Sequence, residues 1–305
     1  MKTEVTAVRS SFDELDLSIL ICRPEETPKA VVQIAHGMCE HKERYLPFME
    51  FLCNRGYACI IHDHRGHGAS VKRADDLGYM YSGGSEGIIE DIKTVNRHAA
   101  SMFPESLIFL FGHSMGSLAV RCFAKRHDGL INGLIVCGSP SRNPAAGAGK
   151  ALTKIISIIK GDRHRPAIIQ KMAFNSFNKN FTDEGENAWL STDRSVVQAY
   201  NASPLCGYTF TANGFIGLFD LMTDCYDSKG WRLSRHEMPV LFIAGENDPC
   251  ITGEKQFTEA VEFFRKAGYE NTSSRLYEGM RHEILNENGK ETVWNDILSF
   301  FDRHN

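Results

Sequence analysis

The sequence predicts an α/β protein: a mostly parallel sheet with helices on both faces, and a helical segment inserted late in the chain. Three observations predict it. Short apolar runs recur, each ending in glycine or a polar turn: LDLSILICR (15–23), AVVQIAHG (30–37), YACIIHDHRG (57–66), LIFLFGHS (107–114), INGLIVCGSP (131–140), PVLFIAGEND (239–248) and SSRLYEGMRH (273–282). Amphipathic segments of helical length lie between most of them, and such alternation builds a parallel sheet sandwiched by helices. The alternation lapses between residues 141 and 232, where helix-like segments follow one another with no buried strand.

The elements follow in order. EVTAV and LDLSILI, joined by the SFDE turn, read as an antiparallel hairpin at one sheet edge. RYLPFMEFLCNRG (44–56) reads as a helix after the 30–37 strand. Beyond the 57–66 strand, Ile88, Ile92, Val95, Ala99 and Met102 share one helical face. The 107–114 strand feeds a helix in which Leu118, Ala119, Cys122 and Phe123 recur at helical spacing. The insertion opens with SRNPAAGAGK and carries ALTKIISIIK, PAIIQKMAFNSF and GFIGLFDLM. GEKQFTEAVEFFRKAG (253–268) is the last amphipathic segment before the 273–282 run. Residues 1–140 and 233–305 are therefore assigned to one core, and 141–232 to a cap over one edge of its sheet.

At 305 residues, 42% hydrophobic and 24% charged, the composition is that of an ordinary globular protein with a sizeable core. A formal net charge of −4 without a basic stripe argues against a nucleic-acid partner. MKTEVTAVRSSFDELDLS lacks the apolar stretch of a signal peptide, and no run is long enough to span a bilayer. Nine scattered cysteines favour reduced thiols, hence a cytoplasmic location. Peripheral contact with a membrane stays open, and nothing indicates an oligomeric state.

Two stretches match G-x-S-x-G. GGSEG (83–87) has no apolar strand before it, so Ser85 is read as lying near a helix start. GHSMG (112–116) follows a strand directly and opens a helix, the context of a nucleophile elbow. Ser114 is the candidate nucleophile, with a plain helix N-cap as the alternative.

A serine hydroxyl needs a histidine to take its proton, and the histidine needs a carboxylate to hold its tautomer. In this architecture they follow in the order serine, acid, histidine. GENDP (245–249) offers Glu246 and Asp248, and MRHE (280–283) offers His282, both after strands. Asp248 and His282 are preferred. Two backbone N–H donors are required for the oxyanion; Met115 follows the serine, and Met38 lies in HGMCEH (36–41) after the 30–37 strand. His36 and His41 are expected to shape that loop. His62, His64 and His67 resemble a metal cluster, but the sequence lacks the aspartate such motifs carry, Gly66 standing in its place. No metal and no cofactor is expected.

HGMCEH (36–41), DHRGHGAS (63–70), GHSMG (112–116), GENDP (245–249) and RHEIL (281–285) together resemble the α/β-hydrolase fold. More narrowly, they resemble its monoglyceride lipase and lysophospholipase branch, also grouped with serine aminopeptidases. The resemblance implies Ser114 as nucleophile, Asp248 as acid, His282 as base, Met38 and Met115 as oxyanion donors, and DHRGHG as a structural loop. It is weak over the insertion. Ser117 stands where the family commonly has a second glycine, and Cys250 where an aliphatic residue is usual. A buried, inert Cys250 is expected, with sensitivity to alkylating agents as the alternative.

The expected function is a cofactor-free serine hydrolase that cleaves carboxylic esters. Its substrates are expected to be monoacylglycerol-like or lysophospholipid-like, with medium to long acyl chains. The cap should cover Ser114 and line the pocket with part of an apolar stripe, either Ile155, Ile156, Ile158 and Ile159 or Phe215, Ile216, Leu218, Phe219, Leu221 and Met222. The alternatives are a prolyl-type aminopeptidase gripping an amino terminus with TDEGE (182–186), and a binding protein that kept the fold without the chemistry.

Overall fold

The computed structural model describes residues 1–305 and contains one eight-stranded sheet in the order β1-β2-β4-β3-β5-β6-β7-β8. β1 (Lys2–Arg9) and β2 (Asp16–Arg23) form the antiparallel edge hairpin, and β2 pairs antiparallel with β4 (Ala58–His62). β3 (Val31–Ala35), β4, β5 (Ile108–His113), β6 (Gly133–Cys137), β7 (Val240–Gly245) and β8 (Thr272–Tyr277) all run parallel. The central strands are buried on both faces, which is why they read as continuous apolar runs.

Side chains alternate across the pleat and choose their helices accordingly. Phe109 and Phe111 of β5 pack in one cluster with α1 (Leu46–Cys53) and α9 (Lys290–His304), through Phe48, Phe300 and Phe301. Leu110, between them, packs on the other face with α2 (Gly84–Met102), α3 (Met115–His127) and, farther on, α8 (Glu254–Lys266). Ser85 lies in the first turn of α2 with no strand before it, so the second G-x-S-x-G match forms no elbow.

The chain between β6 and β7 carries four α-helices and no strand: α4 (Ala146–Lys160), α5 (Ala167–Phe174), α6 (Arg194–Ala202) and α7 (Ala212–Asp224). α6 has no counterpart in the sequence reading; its buried positions reduce to Val197 and Tyr200. α7 packs against α4, α2 and α3. The isoleucine stripe of α4 departs from expectation. Ile155, Ile158 and Ile159 are 54%, 84% and 74% exposed, and only Ile156 packs against the core. The α4 face turned inward is instead small and narrow, with Gly149 against Phe219 and Thr153 buried.

The register sets where the loops emerge. Ala35 at the end of β3 lies beside Gly112 of β5, and His113 beside Cys137 of β6. Gly245 ends β7 opposite Tyr277 of β8. Open α/β sheets build sites at these carboxyl ends, and the loops after β3, β5, β7 and β8 all open there.

Candidate active site

Ser114 is the residue between β5 and α3, at φ 53° and ψ −119°, a conformation that a non-glycine residue holds only under strain. It holds the N-cap position of α3, but its side chain makes no capping hydrogen bond. Close packing around the turn explains both flanking glycines. A Cβ at Gly116 would strike the carbonyl oxygens of Ala35 and His36, and one at Gly112 would strike Val120 and Gly116. Ser117 donates its hydroxyl to the Ser114 carbonyl, a local role for the residue that replaces a glycine.

Asp248 and His282 meet across the β7 and β8 loops. His282 Nδ1 lies 2.9 Å from Asp248 Oδ2, and both side chains are buried. Asp248 Oδ1 accepts the Cys250 N–H at 2.8 Å, which fixes the carboxylate. With Nδ1–H donated to Asp248, Nε2 is left as the acceptor. Glu246, the other candidate acid, is exposed. The approach depends on Gly245, where a Cβ would meet the Met280 and Arg281 carbonyls. The Ser114 hydroxyl makes no hydrogen bond to the ring in this structure; such bonds are often long until substrate binds.

Ser114, His282, Met38 and Met115 share the wall of one cavity of about 790 Å³. Met115 is the first residue of α3, where N–H groups have no intrahelical acceptor. The Met38 N–H likewise enters no backbone hydrogen bond. Beyond these polar groups the cavity is walled by Leu152, Ile169, Phe174, Leu218, Phe219 and Met222. Of the apolar stripe expected from α7, Phe215 and Leu221 turn into the core instead, and Ile155, Ile158 and Ile159 of α4 stay outside.

Around this site lies a polar frame that sequence reasoning missed. Glu40 Oε1 accepts the Gly37 N–H at 2.6 Å and the Tyr45 hydroxyl at 2.9 Å, while Oε2 accepts from Arg44 at 2.7 Å. Arg44 reaches on to both carboxylate oxygens of Glu283, next to His282. His113 places Nδ1 3.4 Å from Glu40 Oε1 and 3.1 Å from the Tyr45 hydroxyl, and donates Nε2–H to the His282 carbonyl. Burial opposes charge on Glu40, but His113 and the Arg44 guanidinium outweigh it and hold the carboxyl well below its usual range. The same contact raises the His113 imidazole despite its burial. Glu40, His113 and Glu283 stood inside the quoted motifs, but their pairing is long-range and left no local signal.

The histidines of DHRGHG bond to His36 and within their own loop. His64 donates its N–H to His36 Nε2 and meets the His36 carbonyl, while His67 Nδ1 meets the Arg65 carbonyl. Both His62 nitrogens lack partners, and the nitrogens of His62, His64 and His67 do not converge as metal ligands. Asp63 holds the loop by accepting from Lys42 Nζ and the Lys42 and Ala69 N–H groups. His36 turns Nδ1 to the Gly37 carbonyl and His41 pairs with Glu43, so both shape their loop. One group does converge: ligand-type atoms of Asp248, Cys250 and His282 lie within 4.8 Å of one another.

An eight-stranded, mostly parallel sheet with a strained serine elbow and a histidine–carboxylate pair at its carboxyl edge defines an α/β hydrolase of the lipase and esterase type. The chain belongs to the family described as serine aminopeptidase, S33, which matches residues 26–289. Human monoglyceride lipase is 30% identical over 286 residues, covering 89% of this chain and 82% of that protein. Monoacylglycerol lipase of Mycolicibacterium smegmatis is 26% identical over 287 residues, covering 92% and 91%. In fold, a thermostable carboxyl esterase from Bacillus coagulans superimposes with a TM-score of 0.90 at 24% identity, over 100% of this chain and 99% of that one.

Proposed function

We propose that the protein hydrolyses carboxylic esters through an acyl-enzyme on Ser114, with monoacylglycerol-like or lysophospholipid-like substrates of medium to long acyl chain. Ser114 Oγ attacks the ester carbonyl as His282 Nε2 takes its proton. Asp248 holds the ring and stabilises the imidazolium. The Met38 and Met115 N–H groups receive the oxyanion. His282 then protonates the departing alcohol, and a water molecule repeats the sequence to release the acid.

The observation that carries this reading is the cavity. It joins Ser114 and His282 to a wall of aliphatic and aromatic side chains, in the size range of about 300–1,000 Å³ common to sites that bury a small ligand. Much of that wall comes from residues 141–232, which act as a cap. The related monoglyceride lipases support the ester chemistry. An aminopeptidase would need a free carboxylate for the substrate amine. Glu184 of TDEGE is paired with Arg281, and Glu40 and Glu283 with Arg44, which leaves only the exposed Glu186 on the cavity. Nine free thiols suit a reducing cytoplasm.

No helix is long and apolar enough to cross a membrane. The outer cap face nonetheless exposes Ile155, Ile158, Ile159 and Ile168 in a stretch that also carries Lys154, Lys160 and Lys171, and Asp162 is the sole acid between 141 and 181. Peripheral contact of this face with an anionic lipid surface belongs to the same reading, and co-sedimentation with anionic against zwitterionic vesicles tests it. The central test is a fluorophosphonate probe. It labels the wild type and leaves Ser114→Ala unlabelled and inactive; hydrolysis surviving in Ser114→Ala refutes the mechanism, and an unlabelled wild type favours a non-catalytic binding protein.

A further inference from the structure

We infer that Cys250 and His282 form an inhibitory binding site for a soft divalent cation such as Zn²⁺ or Cd²⁺, which shuts off hydrolysis by occupying the nitrogen that takes the serine proton. The loss of turnover rests on the mechanism proposed above; the binding does not.

The turn after β7 builds the site. Asp248 accepts the Cys250 N–H, and this short loop carries the thiol back toward the imidazole, with Sγ 4.0 Å from His282 Nε2. Zinc bonds of about 2.3 Å to sulfur and 2.0–2.1 Å to nitrogen in tetrahedral geometry set the two atoms about 3.5 Å apart. A movement of about half an ångström, within reach of one cysteine rotamer, closes the gap. The ring is already oriented. A metal-bound imidazole usually gives its other N–H to a carboxylate, and Asp248 holds Nδ1 in that manner. The pair that serves general-base chemistry is thus also the outer half of a carboxylate–histidine–metal arrangement. Both ligands face the cavity that holds Ser114, and water from that cavity fills the remaining coordination positions.

The other cysteine on the cavity wall is differently placed: Cys39 donates its thiol to the Tyr208 carbonyl. A thiol ligates a metal as the thiolate and must give up its proton to do so. Cation binding exchanges that proton for the metal: the S–H bond breaks, the S–metal bond forms, and one proton leaves to solvent. Affinity therefore rises with pH. A soft thiolate selects Zn²⁺ or Cd²⁺ over Mg²⁺.

The test titrates metal-free full-length wild type, Cys250→Ala and Cys250→Val with Cd²⁺, reading thiolate–metal absorption and ester hydrolysis side by side. Expected are a one-equivalent absorption difference between wild type and either variant, and half-inhibition shifted upward at least about tenfold in the variants. Inhibition is expressed relative to each variant's own uninhibited rate, is reversed by EDTA and is not produced by Mg²⁺. His282→Ala, which needs no activity for the optical readout, loses the same band. Equal inhibition of wild type and both cysteine variants, or the absence of a difference band, overturns the site. A band that depends on Cys250 and His282 in a wild type with no esterase activity supports the site and refutes the proposed function instead.

Discussion

Trp189 of the inserted segment lays its indole 5.0 Å from the imidazole of His282, tilted by 41°, and its carbonyl accepts the His282 N–H at 3.4 Å. The contact is one of a series. Leu190 accepts the Glu283 N–H at 2.7 Å, and Arg281 donates to the Ala188 and Ser191 carbonyls while pairing with Glu184. Glu287 accepts from Ser191 and Thr192. At this end the insertion is tied to the histidine loop by these hydrogen bonds, whereas the α4 end of the insertion presents exposed isoleucines.

Trp189→Ala is expected to lower kcat by about 10- to 100-fold with a smaller change in KM, because a ring misplaced by about 1 Å loses its near-attack geometry. Trp189→Phe, which keeps an aromatic face, recovers most of the rate. Steady-state kinetics and the rate of fluorophosphonate labelling check this together. A rise in KM at constant kcat would reduce Trp189 to a wall of the pocket.

The two candidate acids separate cleanly. Asp248→Asn is expected to lower kcat by about ten-thousand-fold, since the amide favours the wrong imidazole tautomer. Glu246→Gln changes an exposed side chain and leaves the rate within about twofold. Single-turnover hydrolysis by both variants decides between them, and the reverse ranking would transfer the role to Glu246.

How far the sequence reached follows from the range of the interactions involved. The sheet was legible because central strands buried on both faces must be apolar over most of their length, as the IFLF of β5 is. Strand limits were overdrawn, with 131–140 narrowing to Gly133–Cys137, since periodicity does not say where pairing stops. Ser114, Asp248 and His282 were candidates because strand-end motifs stand in a fixed order, and the fold does bring Asp248 and His282 into hydrogen-bond contact. The α4 stripe was misread for the opposite reason: apolar spacing shows that a face is water-averse, not what covers it. Glu40 with Arg44 and Glu283, or Trp189 with His282, join residues far apart in sequence, and only the assembled fold pairs them.

Four buried histidines predict acid lability. Burial lowers His36, His62 and His64 well below the usual imidazole range and His67 to about 4. Each folded value lies below the unfolded one, so the unfolded chain binds more protons as pH falls from about 6.5. Stability is full above that pH and declines as pH drops toward 4. One histidine held neutral accounts for up to about 2 kcal/mol between pH 6.5 and 5. His62 has no partner at either nitrogen, so His62→Phe removes a proton site without breaking a hydrogen bond. Denaturant unfolding of this variant at pH 7.5 and pH 5 is expected to show a smaller acid loss than the wild type; parallel losses would show that His62 takes up no proton on unfolding.

The chain-length preference has the most direct geometric basis. Each methylene moved from water to the wall formed by Leu152, Phe174, Leu218, Phe219 and Met222 adds about 0.8 kcal/mol of transfer free energy, close to fourfold in affinity. kcat/KM should therefore climb from acetyl to medium and long acyl esters, flatten once the cavity is full, and stay far above the value for aminoacyl amides, whose charged amine gains nothing from that wall. A bulkier side chain shortens the cavity, so Met222→Trp is expected to move the plateau to shorter chains while acetyl esters react at nearly the parental rate. One panel of graded acyl esters, monoacylglycerols, lysophospholipids and aminoacyl amides, run on both proteins, reads all of this. If kcat/KM falls steadily from acetate upward, or if Met222→Trp slows every ester equally, the acyl chain does not lie along α7.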